Sequence, residues 1–400
     1  MHAFFRARRA LQLALTTHAL RPWTGHRVSV PGFVAGWLTS ELAPHLLALT
    51  AADTAAHVAR HRRSSDLPGL AMAAASAAGS AALIASAQRA RGVVDDALTA
   101  ALGPDEREPD AAGLATPWGR IVNPFKLDTD GVRRDQDIAY AQGGRRFLLD
   151  VYRPEEGTEN APVLLQIHGG AWMTGSKNEQ GRPLMLHMAR RGWVCVAINY
   201  PLAPAARWPA HIVAAKRALA WIRENIAAYG GDPSYVVTTG GSAGGHLASL
   251  LALTPNDPAL QPGFTGADTS VQACVPHYGV YDFAATSGSR ASAARMRGIL
   301  ARHVMGPDPT HDDYVAASPL DRITDAAPPF FVIHGDQDSL VPVREARRFV
   351  EALRATSHRT VAYAEIPGAQ HAFDIFPSIR SAHVLHGVER FLDWAHTHRE

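Results

Sequence analysis

From about residue 120 onward, short apolar runs alternate with helical patterns, and few architectures accommodate that alternation. Residues 163–167, 194–198, 235–239, 271–275, 330–333 and 361–366 are apolar almost throughout and too short for helices, as strands buried on both faces must be. Residues 147–152 alternate instead, like a half-buried strand. Between the runs, Ile212, Ala215, Leu219, Ile222 and Ile226 share one face of a helix that Pro209 opens and Gly230-Gly231 stops. Residues 340–353 and 382–396 read as later helices. The expectation is an α/β fold with a mostly parallel sheet and helices on both faces. Its chemistry belongs beyond the carboxyl ends of the strands.

At one such end stands Gly-Gly-Ser-Ala-Gly, residues 240–244, between the 235–239 run and a helical pattern through His246, Leu247, Leu250 and Leu251. A G-x-S-x-G turn between strand and helix holds its serine in strained geometry, so the flanking positions must be small. Ser242 would present its hydroxyl clear of the sheet. The amide of Ala243 would point from a helix start, where donors are unpaired.

A serine hydroxyl needs a base, an orienting carboxylate and oxyanion donors before it becomes a useful nucleophile. The run 330–333 ends in His334-Gly335-Asp336-Gln337-Asp338, and the run 361–366 is followed by His371. The chain order Ser, Asp, His fits one hydrolase architecture, with Asp336 and Asp338 both available as the acid. Upstream, 163–167 ends in His168-Gly169-Gly170-Ala171-Trp172. Gly169 and Gly170 would turn backbone amides inward and, with Ala243, complete an oxyanion hole. His168 is read as locking that loop, and Trp172 as lining or bracing the pocket.

Composition narrows the partners. A formal charge of +2 and scattered arginines exclude a nucleic-acid surface. The two cysteines, Cys195 and Cys274, lie in apolar runs and read as buried free thiols. No Cys/His zinc spacing occurs, and neither metal nor organic cofactor is called for. Residues 1–104 differ from the rest: rich in Ala, Leu and Arg, they read as an apolar helical extension ahead of a catalytic unit at 105–400. The polar stretch 103–110 marks the boundary. Residues 67–88 carry no charge and are long enough to span a bilayer, and 28–52 offer a weaker second candidate interrupted by Glu41 and Pro44. A membrane association through 28–88, and hence a membrane or cell-envelope location, is the expectation; a soluble helical appendage in a cytoplasmic protein is the alternative.

With these residues in place, the sequence resembles the α/β-hydrolase carboxylesterases, on the side shared by hormone-sensitive-lipase-like esterases and kynurenine formamidases. The resemblance covers about 145–400 and rests on LDVYRP (149–154), HGGAW (168–172), NYPLAP (199–204), YGGDP (229–233), GGSAGG (240–245), YGVYDF (278–283), SPL (318–320), HGDQDSLVP (334–342) and QHAF (370–373). It implies an α/β-hydrolase fold, Ser242 as nucleophile, His371 as base, Asp338 rather than Asp336 as acid, and Gly169, Gly170 and Ala243 as oxyanion donors. A small acyl ester is then the expected substrate. HGGAW in place of HGGG keeps amide hydrolysis of the aryl-formamidase kind open; a lipase acting on longer chains and a catalytically dead scaffold are the other readings. The extension is similar to that of mycobacterial and other actinobacterial esterases rather than to lipase cap helices, which leaves 283–322 as a candidate cap.

Overall fold

The computed structural model describes residues 2–22, 29–61, 66–104, 116–284, 298 and 300–399. The polar break at 103–110 falls outside these from residue 105 on, as does 285–297 of the candidate cap.

Four helices come first: α1 (His2–Leu20), α2 (Ser29–Glu41), α3 (Ala43–Arg60) and α4 (Leu67–Leu102), then a single turn, α5 (Trp118–Ile121). One eight-stranded sheet follows, built from β1 (Val132–Ala139), β2 (Leu148–Pro154), β3 (Ala161–Ile167), β4 (Val194–Ile198), β5 (Gly231–Gly241), β6 (Ala273–His277), β7 (Phe330–Gly335) and β8 (Val361–Ile366). Its order is β1-β2-β4-β3-β5-β6-β7-β8. β1 and β2 run antiparallel to their neighbours, and β3 through β8 are parallel. Between the strands lie α6 (Arg182–Arg190), α7 (Ala210–Asn225), α8 (Ala243–Leu253), α9 (His311–Ala316) and α10 (Val343–Thr356), and α11 (Ile379–Thr397) closes the chain.

The strand pattern explains the two-sided core. Val163, Leu165 and Ile167 of β3 face Ile212 and Leu219 of α7 and Leu247 of α8. Leu164, between them in sequence, joins Met185 of α6 and Phe391 of α11 on the opposite face, as the period of two requires. β1 was not legible as a strand because it carries Arg133, Arg134, Asp135 and Asp137. It is one of the two edge strands, where charges are tolerated and discourage pairing with other chains. α10 starts three residues later than its apolar pattern suggests, because Asp338 Oδ1 accepts from the amides of Leu340 and Val341, both at 2.8 Å, and holds them in a turn.

The first hundred residues lie against this sheet. Ala90, Val94 and Leu98 of α4 are buried in the same core layer as α6 and α11. Among the described residues α4 is the one helix long and apolar enough to cross a membrane. Residues 28–52 instead break into α2 and α3. Glu41 at that break is buried, pairing with Arg380 of α11 at 2.7 Å and accepting from Ser378 Oγ at 2.7 Å. Cys195 and Cys274 are free and buried, as their apolar runs imply.

Candidate active site

Ser242 sits between β5 and α8 with φ 58° and ψ −120°, a conformation that costs an L-residue roughly 1–3 kcal/mol. Its amide is held by the carbonyl of His277 at 3.0 Å. The glycines around it are sterically required. A Cβ on Gly240 would stand 2.5 Å from Ile167 O, and one on Gly244 would stand 2.0 Å from the same oxygen. The turn is thereby pressed against the end of β3, which delivers the His168–Trp172 loop to the serine. A Cβ on Gly169 would meet Ser242 Cβ at 3.1 Å.

His371 and Asp338 converge from the ends of β8 and β7. His371 Nδ1 bonds Asp338 Oδ2 at 2.6 Å. That carboxylate is fully buried and would be protonated more readily for that reason alone, but His371 first, and then His334, outweigh burial and hold its pKa well below the ordinary carboxylate range. His334 Nε2 lies 3.3 Å from the same oxygen and 2.9 Å from Val341 O. Asp336 turns elsewhere: its Oδ1 accepts from Gly368 N at 2.7 Å and so shapes the turn before His371. Tyr278 fills the space between turn and base. Its ring centroid is 4.8 Å from that of His371, its hydroxyl donates to Asp374, and a Cβ on Gly241 would touch that hydroxyl at 2.7 Å. No hydrogen bond joins Ser242 Oγ to His371 among the described residues; such bonds are often loose before substrate arrives.

The His168–Trp172 loop is braced from below. His168 stacks on Tyr200 with centroids 4.3 Å apart, its Nδ1 lies 2.7 Å from Gly169 O, and burial lowers its pKa to about 4. A neutral, packed imidazole suits the locking role read from the sequence. Trp172 is 2 % exposed, and its Nε1 donates to His246 Nδ1 at 3.2 Å, so the indole braces the loop from within the core. Gly169 N donates to Gln180 Oε1 at 2.7 Å. Gly170 (φ 113°) and Ala171 (φ 52°) are both left-handed, and neither donates its amide within the described residues. The sequence did not single out Ala171; its only signal there was its place directly after the two glycines.

A further wall had no local signal at all. α2 crosses the base: the ring of Phe33 stands edge-on to His371 with centroids 5.9 Å apart. Gly36, one turn on, permits close approach, since a Cβ there would lie 3.3 Å from Gln370 Nε2. Trp37, Phe376 and Phe125 continue the aromatic row outward at 5.4 and 5.5 Å. The chain's first helices therefore cover the site from one side. Of the candidate cap at 283–322, the described part supplies Phe283, stacked on His246, and Leu300 and Val304 in the core.

Comparison with known proteins places the chain among esterases. The family described as BD-FAE matches residues 149–353. The chain is 49% identical over 335 residues to the probable carboxylic ester hydrolase LipM of Mycobacterium tuberculosis, covering 80% of this chain and 76% of that one. Esterase LipQ of the same organism is 43% identical over 330 residues, 77% and 75% of the two chains. Among solved structures, the butyrate-bound esterase 2 of Thermogutta terrifontis superposes with a TM-score of 0.54 at 25% identity, covering 67% of this chain and 96% of that one. A carbohydrate esterase from gut microbiota shares the fold, with a TM-score of 0.57 at 23% identity over 68% of this chain and 99% of that one.

Proposed function

This chain belongs to the BD-FAE family, and on that premise we propose that it is a serine carboxylesterase acting on short acyl esters. The observation that carries the reading is the 2.6 Å bond between His371 and the buried Asp338, with Tyr278 packed between that base and the strained turn of Ser242. The buried carboxylate fixes the imidazole with Nδ1 protonated and Nε2 free. Nε2 takes the proton of Ser242 Oγ as Oγ attacks the ester carbonyl. The oxyanion is held by the amides of Gly170, Ala171 and Ala243, while that of Gly169 is already given to Gln180. The C–O bond to the alcohol then breaks, and His371 returns the proton to the leaving oxygen. Water, deprotonated by the same imidazole, releases the acid and regenerates Ser242.

The short-chain preference is supported by Phe33 and Trp37, which close one side of the site, and by the butyrate seen in the T. terrifontis esterase. We further propose that the enzyme rests on a membrane surface rather than crossing it. The second half of α4 buries one face, Ala90, Val94 and Leu98, in the enzyme's own core, while Val30 and Val34 of α2, Leu49 and Val58 of α3 and Leu67 of α4 are exposed. α3 and α4 also enclose a groove of about 670 Å³ lined by Leu47, Val58, Leu70, several alanines, Thr50 and Thr54. Such a face suits shallow insertion among headgroups.

The full chain, assayed on p-nitrophenyl esters from acetate to palmitate, should hydrolyse the short members fastest. A maximum at palmitate would replace the reading with a lipase, and turnover of N-formylkynurenine exceeding that of every ester would replace it with a formamidase. Flotation of the protein with anionic liposomes tests the surface attachment, and a protein that stays at the bottom of the gradient contradicts it.

A further inference from the structure

The start of α1, the end of α3 and the start of α4 meet at one corner. Three side chains there aim at a common point: His2 Nδ1 lies 3.4 Å from His57 Nε2 and 3.4 Å from Asp66 Oδ2, and His57 Nε2 lies 3.2 Å from Asp66 Oδ2. Three atoms bonded at about 2.0–2.1 Å to one tetrahedral ion stand about 3.3–3.4 Å apart, so this triangle has the edge lengths of a metal's coordination face.

The surroundings prepare the same three atoms. Asp66 is 1 % exposed, and its other oxygen is already committed, with Oδ1 accepting from Arg6 Nε at 2.7 Å and Gly69 N at 3.2 Å. Oδ2 is buried and has no hydrogen-bond partner of its own. Glycine at 69 keeps the space beside it open, since a Cβ there would come within 2.6 Å of Oδ2. The imidazole of His57 is stacked on Phe5 with ring centroids 3.9 Å apart, which fixes the ring with Nε2 directed at Asp66 Oδ2. A second His/His/Glu group, His187, His386 and Glu389, differs at the oxygen that would face an ion: Arg191 takes Glu389 Oε1 as Arg6 takes Asp66 Oδ1, but Glu389 Oε2 is already bonded by His187 Nε2 at 2.6 Å, and His386 lies 3.7 Å from it.

We propose that His2, His57 and Asp66 bind a divalent transition-metal ion of the zinc type, which clips α1, α3 and α4 together and leaves its fourth position to water. Two nitrogens and one carboxylate oxygen suit that ion class better than Mg²⁺ or Ca²⁺, which take oxygen ligands. The sequence could not disclose the site, because its ligands are 55 and nine residues apart and come from three helices.

The test uses the untagged full-length protein, stripped with a chelator and titrated with Co²⁺ and then Zn²⁺. The expected result is one equivalent of Co²⁺ giving the visible bands of a four-coordinate ion, displaced by Zn²⁺, with a rise in the thermal midpoint on loading. His2→Ala, at a partly exposed position, should weaken binding at least about tenfold and abolish the thermal shift, and Asp66→Asn should do the same. His187→Ala should change neither readout. Labelling of Ser242 by a fluorophosphonate should persist in His2→Ala, which separates loss of the metal from loss of the esterase fold. Absence of stoichiometric binding, or equal affinity in wild type and His2→Ala, overturns the proposal.

Discussion

Phe33, from the second helix of the chain, stands edge-on to His371, the last of the candidate catalytic residues, with ring centroids 5.9 Å apart. A segment that reads in sequence as an apolar extension thus forms a wall of the site. An edge-to-face aromatic contact contributes about 0.5–1.5 kcal/mol beyond its area. Phe33→Ala should therefore lower kcat/KM on p-nitrophenyl acetate roughly two- to tenfold. It should also move the chain-length optimum toward longer acyl groups, since the wall is removed. An unchanged chain-length profile would mean that α2 does not bound the acyl site.

α2 is held in place by the buried pair Glu41–Arg380, at 2.7 Å with both side chains essentially inaccessible. Removing one partner of such a pair strands the other charge, at a cost of about 3–5 kcal/mol. Glu41→Ala should lower stability by that order in urea unfolding. Glu41→Leu combined with Arg380→Met should recover much of it, because the stranded charge is gone. A double variant as unstable as the single one would assign the loss to packing.

Glu345 on α10 is buried beside Asp282, and burial pushes its pKa up from 4.5 to about 7. A raised carboxyl favours the folded state at low pH. Between roughly pH 4.5 and 7 the unfolded chain has released this proton and the folded one retains it, so stability from this group falls as pH rises across that window, by about 3 kcal/mol. Above pH 7 the loss is complete. Glu345→Gln should flatten that decline in denaturant unfolding at a series of pH values and be more stable than wild type at pH 8. A parallel pH profile in the variant would show that Glu345 is not the source.

Deletion of residues 1–104 should not yield an independent enzyme. It would uncover the core layer occupied by Ala90, Val94 and Leu98 and strand Arg380. Poor solubility or a thermal midpoint several degrees lower, with ester hydrolysis reduced, is the expected outcome; a soluble truncated protein with full activity would contradict it.

What the sequence discloses follows from how local each signal is. The G-x-S-x-G turn is legible because its glycines are demanded by contacts within a few ångströms, with Ile167 O against both Gly240 and Gly244. Asp338 and His371 are legible because parallel strands bring their carboxyl ends to one edge. Reading the residues alone could not choose between Asp336 and Asp338, since the choice depends on which carboxylate the turn aims at His371, and only the motif resemblance favoured Asp338. Phe33 over the base, Ala171 in the donor loop and the His2–His57–Asp66 corner depend on long-range packing or on the conformation of a single residue, which leaves no periodicity to read. β1 was hidden for a different reason: an edge strand needs no continuous apolar run.

The most direct test of the central claim is to treat the full-length protein with a fluorophosphonate and locate the adduct by peptide mass spectrometry, with ester hydrolysis measured in parallel for Ser242→Ala. The account predicts a single adduct on Ser242 and a loss of turnover in the variant on the order of a million-fold, as in comparable triads. An adduct on another residue, or a Ser242→Ala protein that still hydrolyses esters at the wild-type rate, would contradict it.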